Sequence, residues 1–184
     1  MMSLQNYFLV AVPSLNDSVF ERSIIYICEH NEKGAMGIML NVPLDLDVCQ
    51  LLTQMKMENA SFSLSGKSVF SGGPVSTDRG FVLHTPMDGF HASLSLTDEL
   101  MMTTSLDILS TLGTSAEPKQ YMIALGYAGW EKGQLEEEIR ENTWLTVPAS
   151  PDIIFDIPYE DRWLAASKSL GIDIWQLSPQ AGHA

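Results

Sequence analysis

The chain is poor in positive charge, in cysteine and in long apolar runs, and each shortage excludes something. Only 10 Lys and Arg stand against 23 Asp and Glu, for a net charge of −13. Affinity for a nucleic-acid backbone comes mainly from Lys and Arg that displace counterions. No window of this chain clusters even three bases, so direct nucleic-acid contact is not expected. The two cysteines, Cys28 and Cys49, form no disulfide framework and fit a reducing compartment. No stretch approaches the ~18 consecutive apolar residues of a membrane span. The opening "MMSLQNYFLVAVPSL" has an apolar run but no base before Arg22, so it lacks the charged start of a signal peptide and reads as a first strand. A cytoplasmic location is expected.

Several catalytic signatures are also missing. "SGKS" (65–68) resembles the end of a phosphate-binding loop, but the required glycine five residues before Gly66 is Ser61. The glycines of "GYAGWEKG" (126–133) do not match a dinucleotide fingerprint. No serine sits in a Gly-x-Ser-x-Gly elbow. Too few Cys and His stand at metal-ligand spacing, so neither a metal nor a cofactor is expected.

What is present suits one globular domain: 184 residues, 45% apolar and 18% charged. Residues 6–12, 23–30, 35–41, 68–73, 80–86, 90–97, 120–129 and 143–148 read as strands from their β-branched and apolar runs. Segments 44–55, 103–113, 133–142 and 158–171 carry helical spacing with capping or stop residues at their ends. Asp45 or Asp47 is positioned to cap the first helix, and Leu135 with Ile139 gives the third an apolar face. Seven or eight strands and four helices without regular alternation predict an α+β fold. Residues 1–176 form one domain, and 177–184 a loose tail.

The most reactive-looking stretch is "YICEHNEKGAMGIML" (26–40), which sets Cys28, Glu29 and His30 side by side ahead of Gly34. On a regular strand Cys28 and His30 share one face and Glu29 points the other way. Same-side neighbours then stand about 7 Å apart, too far for a thiol–imidazole hydrogen bond unless the strand is bulged. His84, on another strand, is the alternative base. The competing reading of Cys28 is a half-buried cysteine packing as a small hydrophobe.

A second candidate is "FSGGPVSTDRGFVLH" (70–84), in which Gly72 and Gly73 end a strand, Pro74 opens a turn and Gly80 begins the next strand. Free backbone N–H groups there, with Arg79, can cradle an anion; a plain strand–turn–strand is the alternative. Tyr127 and Trp130 either line a ligand cleft or pack in the core. Asn41, at the end of the 23–41 hairpin, joins Gly72, Gly73, Arg79, Tyr127 and Trp130 as candidate binding residues. The acidic run 131–141 reads as a solvated helix face, or as a contact for a partner.

The blocks "YICEHNEKGAMGIMLN", "FSGGPVSTDRGFVLH", "TTSLDIL", "LGYAGWEKGQLEEEIRENTWLTVPA" and "RWLAASKSLGID" occur in this order over residues 5–174. This pattern resembles the AlgH/YqgE family of bacterial proteins, named for a regulator of alginate production. The resemblance implies a single compact α+β domain on a strongly coiled, partly split β-sheet. It identifies Cys28 with a partly exposed family cysteine and carries over no catalytic residue. The expected function is that of a cytoplasmic regulatory or binding protein acting through a protein partner or small ligand. The alternative is a cysteine-based enzyme or redox sensor using Cys28, with thiolate attack assisted by His30 or His84.

Overall fold

A computed structural model describes residues 2–15 and 18–171; the tail expected at 177–184 lies outside the described residues. In chain order the strands are β1 (Tyr7–Ala11), β2 (Ile24–Asn31), β3 (Gly34–Met39), β4 (Pro43–Asp47), β5 (Ser68–Ser71), β6 (Val75–His84), β7 (Ser93–Thr97), β8 (Leu100–Thr103), β9 (Tyr121–Glu131) and β10 (Trp144–Pro148). The helices are α1 (Val48–Gln54), α2 (Gln134–Arg140), α3 (Pro151–Phe155) and α4 (Arg162–Lys168).

Most of these elements match their sequence signals. Asp47 caps α1 in a reciprocal box with Gln50, its carboxylate accepting the Gln50 N–H at 2.8 Å. The hairpin β2–β3 turns on Glu32 and Lys33, with the Asn31 side chain accepting the Lys33 N–H at 2.8 Å. Elsewhere the pattern misleads. Residues 43–47 pair with β5 as a strand instead of opening a helix. Residues 100–103 form an unforeseen strand β8, and Leu106–Thr111 is a 3-10 segment. Among the described residues the total is therefore ten strands.

The main sheet runs β10-β1-β2-β3-β9-β6-β8-β7 and is antiparallel along that path; β5 adds a parallel pairing to β9 and β4 pairs with β5. The sheet curls into a half-barrel. Its two ends approach where the Asn6 side chain donates to the Leu96 carbonyl at 3.4 Å and meets the Tyr26 hydroxyl.

Curling divides the apolar residues into three cores. The inner core holds Phe8, Tyr26, Cys28, Ile38, Phe81, Leu83 and Met102, and is plugged by Ile154 of α3 and by Trp163 and Ala166 of α4. The Trp163 indole anchors the plug by donating to the Ala11 carbonyl at 2.8 Å. On the outer face, one core packs Ile25, Ile27, Trp130 and Trp144 under Leu135 of α2. The other packs Val69, Val82 and Ile123 under Val48 and Leu52 of α1 and under Ile108 and Leu109.

Strand β9 contributes to all three cores, with Met122 and Ala124 inside, Ile123 in one outer core and Trp130 in the other. Side-chain parity along it changes at Gly126, whose φ of +81° is open to glycine at little cost. After that residue Tyr127 packs on the inner core while Ala128 belongs to the outer one.

Candidate functional site

The open end of the half-barrel forms a cavity of about 690 Å³. Its floor comes from Met36, Phe81, Met102 and Tyr127, and its rim carries charge of both signs on Glu29, Lys33, Arg79 and Glu131. Phe81 and Tyr127 meet edge to face at 5.9 Å, and the Arg79 guanidinium lies 5.3 Å above the Phe81 ring. The volume falls within the range of about 300–1,000 Å³ usual for ligand pockets, and barrel mouths are a favoured place for them.

The mouth depends on a bulge in β2. Register against β3 shifts between Ile27 and Glu29: Ile27 faces Gly37, whereas Glu29 faces Met36. Up to that point Ile24, Tyr26 and Cys28 face inward in alternation. Beyond it Glu29 lines the mouth and His30 turns to the outer face. The regular-strand expectation, with Cys28 and His30 on one face and Glu29 opposite, is therefore corrected. The bulge inserts one residue and reverses the alternation.

Cys28 lies beneath the floor of this mouth, not on it. It is 2% exposed, and its Sγ stands 3.8 Å from the Met102 Sδ and 3.9 Å from the Tyr26 carbonyl. Burial, with a smaller contribution from the charge of Glu29, pushes the thiol pKa up to about 12. Activated cysteines have the opposite environment, with positive charge nearby and access to solvent. The buried setting also departs from the partly exposed cysteine that the resemblance implied.

Neither histidine reaches this thiol. His30 joins the outer-face layer, where its Nδ1 accepts the Leu4 N–H at 2.9 Å. The proton thus resides on Nε2, which faces Glu136 of α2 at 3.5 Å. His84 is fully buried on the other outer face, in line with Val82. Its Nδ1 donates to the Thr85 carbonyl at 2.8 Å and its Nε2 accepts from the Thr103 hydroxyl at 2.7 Å. Burial lowers its pKa. Cys28, His30 and His84 therefore stand in three different layers of the molecule, and the catalytic constellation is not assembled.

The other candidates divide. Arg79 and Tyr127 both line the mouth. Trp130 borders it but is 7% exposed, packs against Trp144 at 6.3 Å, and donates its indole N–H to Glu138 at 3.0 Å. Asn41 bridges backbone, accepting from the Ile24 N–H at 3.2 Å and donating to the Arg22 carbonyl at 2.8 Å. Gly72 and Gly73 form no anion cradle around a turn. The Gly72 N–H donates to the Leu125 carbonyl and its own carbonyl accepts from Met39, each at 2.8 Å. These glycines let backbones cross: a Cβ on Gly72 would lie 2.2 Å from the Gly126 oxygen, and one on Gly73 2.2 Å from the Tyr127 carbonyl carbon. The expected turn at 74–79 is instead the start of β6, irregular between Val75 and Gly80.

The acidic helix α2 is not simply a solvated face. The Glu138 carboxylate accepts both the Trp130 and Trp144 indole N–H groups, at 3.0 and 2.9 Å. Arg140 pairs with Glu137, leaving Glu136 turned toward His30. Sequence reasoning also missed Glu29, Met36, Phe81 and Met102 as mouth residues. Only the combination of β2 bulge, β9 parity change and sheet curl brings them together. Among the described residues no group of three His, Cys, Asp or Glu side chains converges as a metal would require. Among them also, no helix is long and apolar enough to cross a membrane.

A family model described as AlgH-like matches residues 8–175. The chain belongs to the AlgH-like family. It is 56% identical to a UPF0301 protein of Shewanella woodyi and 53% identical to one of Vibrio parahaemolyticus, with each chain covered in full. The solution structure of AlgH from Pseudomonas aeruginosa is similar at a TM-score of 0.81 and 43% identity, covering 100% of this chain and 97% of that one. A crystal structure from Corynebacterium diphtheriae shares the fold at a TM-score of 0.75 and 23% identity, covering 97% of this chain and 92% of that one.

Proposed function

We propose that this chain is a cytoplasmic regulatory or binding protein that takes a small ligand, or a segment of a protein partner, in the half-barrel mouth. The mouth itself carries the reading. It joins an apolar, aromatic floor of Met36, Phe81, Met102 and Tyr127 to a rim bearing both charge signs, the combination that recognition sites use. The buried, proton-retaining Cys28 thiol weighs against cysteine chemistry. The net charge of −13 weighs against a grip on nucleic acid.

The test is affinity capture from a cell extract divided into small-molecule and protein fractions, with wild-type, Arg79→Glu and Tyr127→Ala chains as bait. A species retained by the wild type and lost from both variants supports the reading. Equal retention by all three, or binding of duplex DNA at physiological salt with a steep salt dependence, overturns it.

A further inference from the structure

Strand β9 carries a glycine that the fold does not require. Gly129 is exposed in the lining of the mouth. Its φ lies outside the left-handed region, and the β3–β9 register runs unbroken on both sides of it. A Cβ built there would meet only the Tyr127 ring, at an ordinary 3.5 Å. Gly34, on the same lining, is different: its φ is +139°, and a Cβ would lie 2.2 Å from the Trp130 carbonyl oxygen. A glycine inside a strand weakens it, and marks a bulge, a sharp bend, or a place where another backbone or a ligand comes close. Gly129 has no bulge, no left-handed bend and no backbone against it, which leaves the ligand.

The charges around this bare patch are set across the strands. Glu29 of β2, Met36 of β3 and Gly129 of β9 form one row, through the pairings Glu29↔Met36 and Met36↔Gly129. Arg79 closes the mouth from β6, the next strand beyond β9. Among the described residues neither Glu29 nor Arg79 is ion-paired. The Glu29 carboxylate is steadied by the Asn31 side-chain amide, which donates to it at 3.1 Å, and the Arg79 guanidinium by the face of Phe81. Lys33 and Glu131 stand further out, beside Gly34 at the hairpin end, and offset each other. Asp78, next to Arg79 in sequence, lines a different cavity with Leu51 and Leu109. The mouth thus offers a carboxylate on one wall, an apolar and bare middle, and a guanidinium on the other wall. Three strand spacings separate β2 from β6, roughly 14 Å along the sheet.

A ligand that joins both walls needs opposite charges far apart. The ammonium and carboxylate of a free amino acid share one carbon and cannot reach both. An extended peptide can, because alternate side chains point to one face and residues four apart stand about 13 Å from each other.

We infer, on the reading that the mouth is the binding site, that its occupant is an extended segment of a protein partner. A basic residue meets Glu29, an aromatic residue two positions away lies against Gly129, and an acidic residue two positions further meets Arg79. Met36 and Tyr127 flank the aromatic ring on the same lining.

The experiment titrates the isotope-labelled chain with the end-blocked pentapeptide Lys-Ser-Phe-Ser-Glu and with its reverse, Glu-Ser-Phe-Ser-Lys, following backbone amide shifts. At least one order should give saturable shifts grouped at Glu29, Met36, Tyr127 and Gly129. Gly129→Leu, which fills the bare patch, should weaken binding roughly tenfold or more. Gly129→Ala should leave the melting temperature of the free protein unchanged or raise it. Arg79→Glu should lose this peptide and bind Lys-Ser-Phe-Ser-Lys in its place. The inference is overturned if neither peptide gives saturable shifts at the mouth up to about 5 mM, above millimolar affinity. Wild-type affinity in Gly129→Leu, or for a peptide with serine in place of phenylalanine, equally overturns it. So does a lower melting temperature in Gly129→Ala, which would show that the glycine serves the fold. Failure of the peptides, while an extract species is still retained by the wild type and lost with Arg79→Glu, overturns this inference alone. Failure of that retention as well overturns the reading of the mouth with it.

Discussion

Alkylation of Cys28 in the folded protein should be slower than that of an ordinary thiol by three orders of magnitude or more. The thiol pKa is raised from 9.0 to about 12, so near pH 8 its thiolate fraction falls about a thousandfold. Because the thiolate is the nucleophile, the chemical rate falls in proportion. Access adds a second barrier: at 2% exposure, with Met102 between it and the mouth, Cys28 meets reagent only when the sheet opens. Iodoacetamide labelling at pH 8, read by peptide mass spectrometry, supplies the rate, with half-buried Cys49 of α1 as internal reference. Cys28 should label only on unfolding. A companion Cys28→Ser variant places a hydroxyl in the inner core at a cost of about 1–3 kcal/mol. That should lower the melting temperature by roughly 2–10 °C. Labelling of Cys28 within a factor of ten of Cys49, or an unchanged melting temperature in the serine variant, would refute the reasoning.

Three further perturbations probe the scaffold. Glu138→Gln weakens two charge-assisted indole hydrogen bonds; a loss of about 1–3 kcal/mol in urea unfolding and a changed near-ultraviolet circular dichroism spectrum are expected. Gly72→Ala drives a Cβ to 2.2 Å from the Gly126 backbone oxygen; the expected cost is about 3 kcal/mol or more, read as insoluble expression or a collapsed thermal midpoint. His84 has a folded-state pKa below its ordinary value of 6.5. Its stabilising contribution is complete above that value and is lost as pH falls from it through the folded-state value, since the unfolded chain then binds the extra proton. Stability between pH 7 and 5 should fall less steeply in His84→Gln than in the wild type.

Local chemistry revealed most of the fold. The Asp47 cap, the Asn31–Gly34 turn and the apolar Leu135–Ile139 face each have a signal within a few residues. Strand β4 escaped because the helical spacing of Val48, Leu51, Leu52 and Met55 extends back to Leu44, four residues before Val48. The site was harder to see for a different reason. Period-two alternation assigns faces only while a strand is regular, and both β2 and β9 change parity, at Cys28–Glu29 and at Gly126. A bulge leaves no composition signal, so the adjacency of Cys28 and His30 in sequence suggested a pair that folding separates. Arg79 and Tyr127 were legible as site candidates from their residue types, whereas Met36, Phe81 and Met102 looked like any core hydrophobe. Gly72 and Gly73 announced a turn, and that backbone proved to be a strand crossing over Gly126 and Tyr127.

Site-specific photo-crosslinking in living cells tests the central claim most directly. Benzoylphenylalanine is introduced in place of Arg79 at the mouth or in place of Glu137 on the exposed side of α2. A discrete adduct at position 79, absent at 137 and lost when Tyr127→Ala is added, is the predicted result. An adduct at 137 with none at 79 would contradict the account and return attention to the acidic helix.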